Sequence, residues 1–270
     1  MDKIGLHLSC VQNELIQHPQ QTLDFIYELG IRHLALPDVS KLKRLYPVLK
    51  GMGFQVEVAN FPSPYITENW QPYTAFGNAK PEGVESFDDM LAIAVKYNLR
   101  YLIFPEIFPQ DRGDLQWYGT FADKLNLAGE KCQQAGIQLC YHHHAFEFQP
   151  MEDSSPMQEL LKYLDSKLVK LEFDVFWASL AGVDLRGFMD KHAEFMALLQ
   201  FGDLGKDIPQ SYKGITLPPA AYQPLGKGKV DFNEILSSKA EVPLYLINLQ
   251  KSQDVLDELR HSVNYLKSLG

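Results

Sequence analysis

Eight short apolar runs, each followed by a segment that reads as helix or loop, punctuate this chain from end to end, and that alternation restricts the fold more than any other feature. The runs are Ile4–Leu8, Ile31–Leu36, Gln55–Ala59, Leu99–Phe104, Ile137–Tyr141, Val169–Phe173, Met196–Phe201 and Leu244–Leu249. Each has strand length and little internal polarity, the pattern of strands buried on both faces of a parallel sheet. The segments between them carry helix punctuation. Pro19–Leu29 is stopped by Gly30, Lys41–Lys50 by Gly51 and Gly53, and Tyr118–Ala135 by Gly136. Ser86 is an N-cap, with Asp88 and Asp89 in the first turn of a helix to Tyr97. Met157–Leu164 and Phe188–Ala193 read as helices, and Asp254–Leu269 closes the chain with Val255, Leu259, Val263 and Leu266 on one stripe. Loops are expected from Asn60 to Gly83 and through Pro209, Pro218, Pro219, Gly226 and Gly228.

Repeated βα units without a linker of domain-boundary composition predict an α/β fold, a single (β/α)8 TIM barrel over residues 1–270. A doubly wound open sheet is the alternative. It is disfavoured because no Gly-x-Gly-x-x-Gly or Walker-type loop follows any strand.

Hydrophobic residues at 46% and charged residues at 22% supply a sizeable core without disulfides or a structural metal. The net charge of −9, with no dense Lys/Arg run, argues against a nucleic-acid partner. Cys10, Cys132 and Cys140 form no even framework and no Cys-x-x-Cys pair. The start, Met1 to Leu6, lacks a signal-peptide core, and no apolar run approaches ~18 residues, so no membrane partner and a reduced, cytoplasmic location are expected. The sequence leaves open whether the chain forms a homo-oligomer.

Chemistry-bearing residues cluster just beyond strand ends, where parallel α/β folds collect ligands. Tyr141-His142-His143-His144-Ala145-Phe146-Glu147-Phe148 follows the fifth run, and Asp174 ends the sixth. Two strand-end carboxylates with nearby imidazoles make half of a divalent-metal site. Strand alternation puts His142 and His144 on one face and His143 on the other. Asp174, among Phe173, Val175, Phe176 and Trp177, needs a polar partner if buried. His7 and Glu106 are further pocket candidates, and Trp177 is an aromatic candidate for the pocket or its rim. Lys206, Lys227 and Lys229 read as solvated.

Ile4-Gly-Leu-His-Leu, the His-His-His-Ala-Phe-Glu-Phe stretch, Leu171-Glu-Phe-Asp-Val-Phe-Trp177 and Leu225-Gly-Lys-Gly-Lys-Val-Asp231 occur in an order and spacing that resembles the sugar phosphate isomerase/epimerase family, the xylose isomerase-like barrels. The resemblance implies a divalent ion (Mn²⁺, Mg²⁺, Co²⁺ or Zn²⁺) held at the ends of strands five to eight, polarising a carbonyl so that a neighbouring base can move a proton. By position Glu147 matches the strand-five ligand and Asp174 the strand-six ligand. The chain departs from the family at the other two. Gln200-Phe201-Gly202-Asp203 stands where His-x-Lys-Asp is usual, and Leu249, or Asn248 in the shifted register, replaces the last carboxylate.

The implied metal ligands are therefore Glu147, Asp174 and Gln200. The catalytic candidates are Glu147, His142 and His144, and the substrate-binding ones Trp177, His7, Glu106 and Gln200. Two carboxylates and an amide hold a hard cation more weakly than three carboxylates and an imidazole, and ~3 kcal/mol lost is about a hundredfold in affinity. The ion is expected to be weakly held or absent unless His142, His144 or Asp203 is recruited. Loss of the strand-eight acid also removes one of the two bases an epimerase uses. The expected function is a sugar isomerase/epimerase-like activity on a carbohydrate or polyol ketone, with single-base isomerisation or dehydration favoured. The alternative is a degenerate barrel that binds a sugar-like ligand without turnover. A metal endonuclease of the related barrel type is disfavoured by charge and ligand number.

Overall fold

Along Val169–Asp174 the side chains alternate between two environments. Leu171 and Phe173 pack into the layer shared with the helices, while Glu172 and Asp174 turn the other way. The same period of two recurs in the other strands, interrupted by register shifts at β2/β3 and β6/β7, in the computed structural model, which describes residues 3–213, 217–252 and 254–270. The remaining positions of the domain expected over 1–270, Met1 and Asp2 among them, lie outside the described residues.

The strands are β1 (Ile4–His7), β2 (His33–Leu36), β3 (Gln55–Asn60), β4 (Tyr101–Phe104), β5 (Gln138–His142), β6 (Val169–Asp174), β7 (Met196–Phe201) and β8 (Tyr245–Ile247). All neighbours are parallel, and β8 pairs with both β7 and β1, closing a barrel. The seam joins Ile4, Gly5 and Leu6 to Tyr245, Leu246 and Ile247. Lys3 Nζ reinforces it by donating to the Val242 carbonyl at 3.0 Å.

Ala35, Val58, Ile103, Cys140, Leu198 and Leu246 fill the interior as an apolar plug. Two residues further along several of these strands, on the same inward parity, come polar groups: Asn60, His142 and Gln200, then Asn248 just past β8. His7 ends β1 on that face as well. Outward, Leu34, Leu102, Leu139, Tyr141, Leu171, Phe173 and Phe201 belong to the core covered by helices. The barrel mouth is thus polar on an apolar floor.

Helix ends follow the local chemistry. The helix Phe87–Lys96 begins in a capping box, with Ser86 Oγ accepting from the Asp89 N–H and the Asp89 carboxylate from the Ser86 N–H. The helix Leu115–Gln134 starts three residues before the expected Tyr118 because Asp114 caps it. Gly30 and Gly136, at φ of 87° and 74°, end their helices in the left-handed region. The segment after Asn60, expected as loop, holds the short helices Pro64–Thr67 and Trp70–Ala75. The expected helix Phe188–Ala193 instead runs Leu185–Lys191 from its Asp184 cap. An unforeseen helix, Val175–Leu180, begins directly at the end of β6.

Candidate active site

Because β5 and β6 pair with His142 opposite Glu172, the two inward side chains meet across the sheet. His142 Nδ1 lies 2.9 Å from Glu172 Oε2, and both groups are buried. The other ring nitrogen, Nε2, is 3.9 Å from Asp174 Oδ2. Asp174 has a double role. Oδ1 accepts the Trp177 N–H at 3.0 Å, capping the helix Val175–Leu180, and Oδ2 accepts the Gln200 amide at 2.6 Å from the facing position on β7. The partner that apolar surroundings demand of Asp174 is therefore present twice.

His143 faces outward, against Phe148 and Phe173. It accepts the Asp174 N–H at Nε2 (3.1 Å) and donates Nδ1–H to the His144 carbonyl (3.1 Å), which fixes its neutral tautomer. On the inner wall His7 Nδ1 contacts Ser9 Oγ at 2.5 Å, and Ser9 Oγ in turn reaches Asn248 Oδ1 at 3.4 Å.

The imidazoles are driven apart electrostatically. Burial pushes His142 down, but its hydrogen bond to Glu172 and the charges of Glu172, Asp174 and Glu147 outweigh that and leave it above the usual histidine value. Burial drives His143 down to about 3 and holds His7 and His144 low. One imidazole that favours protonation thus stands among three that resist it, an arrangement suited to directional proton movement. Burial also raises Asp174 to about 6, against His142 and the two hydrogen bonds that favour the carboxylate.

Glu147, expected with Asp174 as a metal ligand, is held by partners of its own. The chain turns through the short 3-10 segment Phe146–Phe148, which buries Glu147 completely. One oxygen accepts from Tyr141 Oη at 2.7 Å and the other from the His144 N–H at 2.9 Å. Burial raises it to about 7. Its chemistry is spent on holding the loop that carries His144. Asp203, a possible substitute ligand, is taken up as well. Its carboxylate accepts the N–H groups of Gly226, Gly228 and Val230 at 2.9, 2.8 and 3.1 Å. A Cβ on Gly228 would lie 2.2 Å from Asp203 Oδ1, so the Gly-Lys-Gly turn exists to bring backbone amides onto that acid. Among the described residues no three His, Cys, Asp or Glu side chains are gathered as a metal cage.

Glu172 was missed as a site residue. The signal was its inward parity with Asp174 two positions on, masked because Val169–Phe173 reads as a uniformly buried strand. Of the two strand-eight candidates, Leu249 packs in the outer core and Asn248 has the inward parity.

Beside His142 opens a cavity of about 600 Å³, lined in part by Glu106, Arg112, His144, Phe146 and Trp177. His144 meets His142 edge-on, with ring centres 5.1 Å apart, and Trp177 lies 5.2 Å from His144. Two of the expected substrate-binding groups, Glu106 and Trp177, are on this wall, while Gln200 and His7 belong to the inner polar ring. Burial raises Glu106 above the carboxylate range, with His142 and Arg112 opposing.

A family model described as a xylose isomerase-like TIM barrel matches residues 49–238, well over half of the chain. The chain belongs to that family. This xylose isomerase-like barrel is 27% identical over 95 residues to an inosose dehydratase of Geobacillus kaustophilus (strain HTA426). That match covers 35% of the chain and only 30% of the relative. In fold it is similar to a sugar phosphate isomerase/epimerase from Parabacteroides distasonis ATCC 8503, with a TM-score of 0.76, 18% identity and 98% of each chain covered. It is also similar to the IOLI protein solved with a zinc atom, with a TM-score of 0.70, 11% identity, and 99% of this chain and 97% of that one covered. No described helix of this xylose isomerase-like barrel is long and apolar enough to cross a membrane.

Proposed function

We propose that this barrel catalyses single-base proton transfer α to the carbonyl of a small sugar or polyol ketone, as isomerisation or dehydration. The observation that carries the reading is the buried His142–Glu172 pair, one imidazole nitrogen fixed by a carboxylate and the other facing Asp174 at the polar mouth. Glu172 selects the tautomer by accepting Nδ1–H, so Nε2 carries the free lone pair. When Nε2 takes a substrate proton, Glu172 and Asp174 stabilise the imidazolium. That is the division of labour in which a base is oriented and then compensated by an acid. Asp174 and Gln200 meet substrate hydroxyls, and His7, held neutral by burial, donates or accepts at a further one. His144 and Trp177 flank the base and limit water.

The donor set fits a divalent ion only in part, through Asp174 and Gln200, which face each other on β6 and β7. Asp174 and Gln200 would hold a Mn²⁺-, Mg²⁺-, Co²⁺- or Zn²⁺-type ion, leaving His142 Nε2 free as the base, and the ion when bound would supply Lewis-acid polarisation of the carbonyl. With one carboxylate in that set, affinity is expected to be weak. The similarity to an inosose dehydratase and to a sugar phosphate isomerase/epimerase supports carbohydrate-like chemistry of this class. The second reading, binding without turnover, is favoured by one contact: the Gln200 amide already occupies Asp174 Oδ2.

The test is proton–deuterium exchange at carbon α to the carbonyl. A panel of ketoses and cyclic polyol ketones is incubated with the protein in D2O with Mn²⁺ and followed by NMR. Exchange or dehydration should occur and fall at least about a hundredfold in His142→Asn, the size of a lost general base. No reaction with any member, or an undiminished rate in that variant, sinks the proposal.

A further inference from the structure

Arg112 follows the turn Pro109–Asp111 and is anchored rather than paired. Its Nε donates to the Ile107 carbonyl at 3.1 Å and its guanidinium lies 3.3 Å from the Phe146 ring centre. That stacking presets the plane of the fork on the cavity wall. No ion pair to Arg112 forms among the described residues, although Glu106 lines the same cavity and Glu147 acts on it through space. Two more polar atoms on this wall are unsatisfied. Among the described residues His144 Nδ1 and Trp177 Nε1 are buried without a hydrogen-bond partner. Such groups incur a desolvation cost that a ligand oxygen would relieve.

We propose that this cavity recognises a carboxylate on the substrate, with Arg112 as its ion-pairing residue and the unpartnered Trp177 Nε1–H, joined by His144 in its Nδ1–H tautomer, as further donors. The proposal rests on the reaction reading above and narrows its substrate class to polyol or sugar keto acids. A planar carboxylate matches the open side of a guanidinium whose Nε is already bonded, and Arg–carboxylate pairs are the geometry for which the fork is built. Lys213, exposed on the same lining, is a second cation, while a phosphate dianion would bring twice the charge of a carboxylate beside Glu106. The cavity also aligns the substrate. Trp177 is tied to Asp174 through its backbone N–H, and His144 stacks edge-on to His142. A carboxylate at Arg112 therefore directs the rest of the molecule toward the base.

Isothermal titration of the full chain with three probes tests this: quinate (a cyclic polyol carboxylate), myo-inositol (its neutral counterpart) and myo-inositol 1-phosphate. Quinate should bind at least tenfold more tightly than inositol and more tightly than the phosphate. Arg112→Met should abolish that preference, while Arg112→Lys, which keeps the charge but not the fork, restores only part of it. Trp177→Phe, which keeps the ring and removes the N–H, should weaken quinate severalfold and serves if Arg112→Met fails to fold by circular dichroism. Quinate binding no tighter than inositol, including no binding of either, overturns the proposal. So does a preference for the phosphate, or an Arg112→Met variant that folds and keeps the selectivity. Binding is read at equilibrium, so absence of D2O exchange would defeat the reaction reading alone, and loss of carboxylate preference would defeat this one alone.

Discussion

Three carboxylates near the barrel mouth do three different jobs, decided by what each touches. Glu172 faces an imidazole, Asp174 faces an amide and a helix N-terminus, and Glu147 faces a phenol and a backbone N–H. Exchanging Glu172 for Gln removes the charge that lifts His142 while keeping the shape. The ring titration of His142 by NMR should then move to lower pH than in the wild type; an unmoved titration would show that Glu172 does not govern it. Glu147 makes a stability prediction with a definite sign. Its folded value, about 7, lies above the ordinary one, so its contribution is fully present below the unfolded value and is lost as pH rises through about 7. Chemical unfolding of Glu147→Gln against wild type should therefore show the variant gaining, relative to wild type, by up to about 3 kcal/mol between pH 4 and pH 8. A pH-independent difference would contradict the buried protonation equilibrium. At this scale the sequence was a partial guide. The strand-end positions of His142 and Asp174 were legible, whereas the partners that hold Glu147 were not. Nothing in a one-dimensional motif reveals that Tyr141, outward on β5, and the His144 N–H close over it.

At the scale of elements, legibility followed the strength of local punctuation. Helices with a capping side chain and a glycine stop were readable to within a few residues. The segment after Asn60 was not, because Pro64 and Asn69 nucleate helices of four and six residues that are too short to show a hydrophobic period. The helix Val175–Leu180 was hidden in apolar sequence and begins because Asp174 doubles as its cap. Removing the capping hydroxyl in Ser86→Ala should lower stability by about 1 kcal/mol with no change in ligand binding, measured by denaturant unfolding. Gly228→Ala should cost more, about 2–3 kcal/mol, since its Cβ collides with the Asp203 carboxylate that gathers three amides. Retention of wild-type stability there would mean that the turn can relax away from Asp203.

For the whole molecule, eight alternations pointed to a parallel sheet buried on both faces, and the lack of a nucleotide-binding glycine loop after any strand favoured the closed barrel that forms over a doubly wound sheet. Barrel closure also ranks the strand-eight candidates, since parity turns Asn248 inward and Leu249 outward. Combining Gln200→His with Asn248→Glu should therefore build a tighter cation site around Asp174. Calorimetric Mn²⁺ affinity is expected to rise at least a hundredfold over wild type, and Gln200→His with Leu249→Glu should not reproduce it. Equal gains from both pairs would refute the inward assignment of Asn248. The seam between β1 and β8 has a further consequence for how the chain reaches this state. Lys3 and Val242, in contact there, are separated by 239 positions in sequence. Joining ends that far apart rather than ~30 residues apart is about three doublings of loop length, or roughly 2 kcal/mol of additional closure entropy. That increment is modest at equilibrium, yet the seam is the most non-local pairing in the ring. Sealing the cylinder is thus the natural final act of folding, and a brief parting of its first and last staves the natural first act of unfolding.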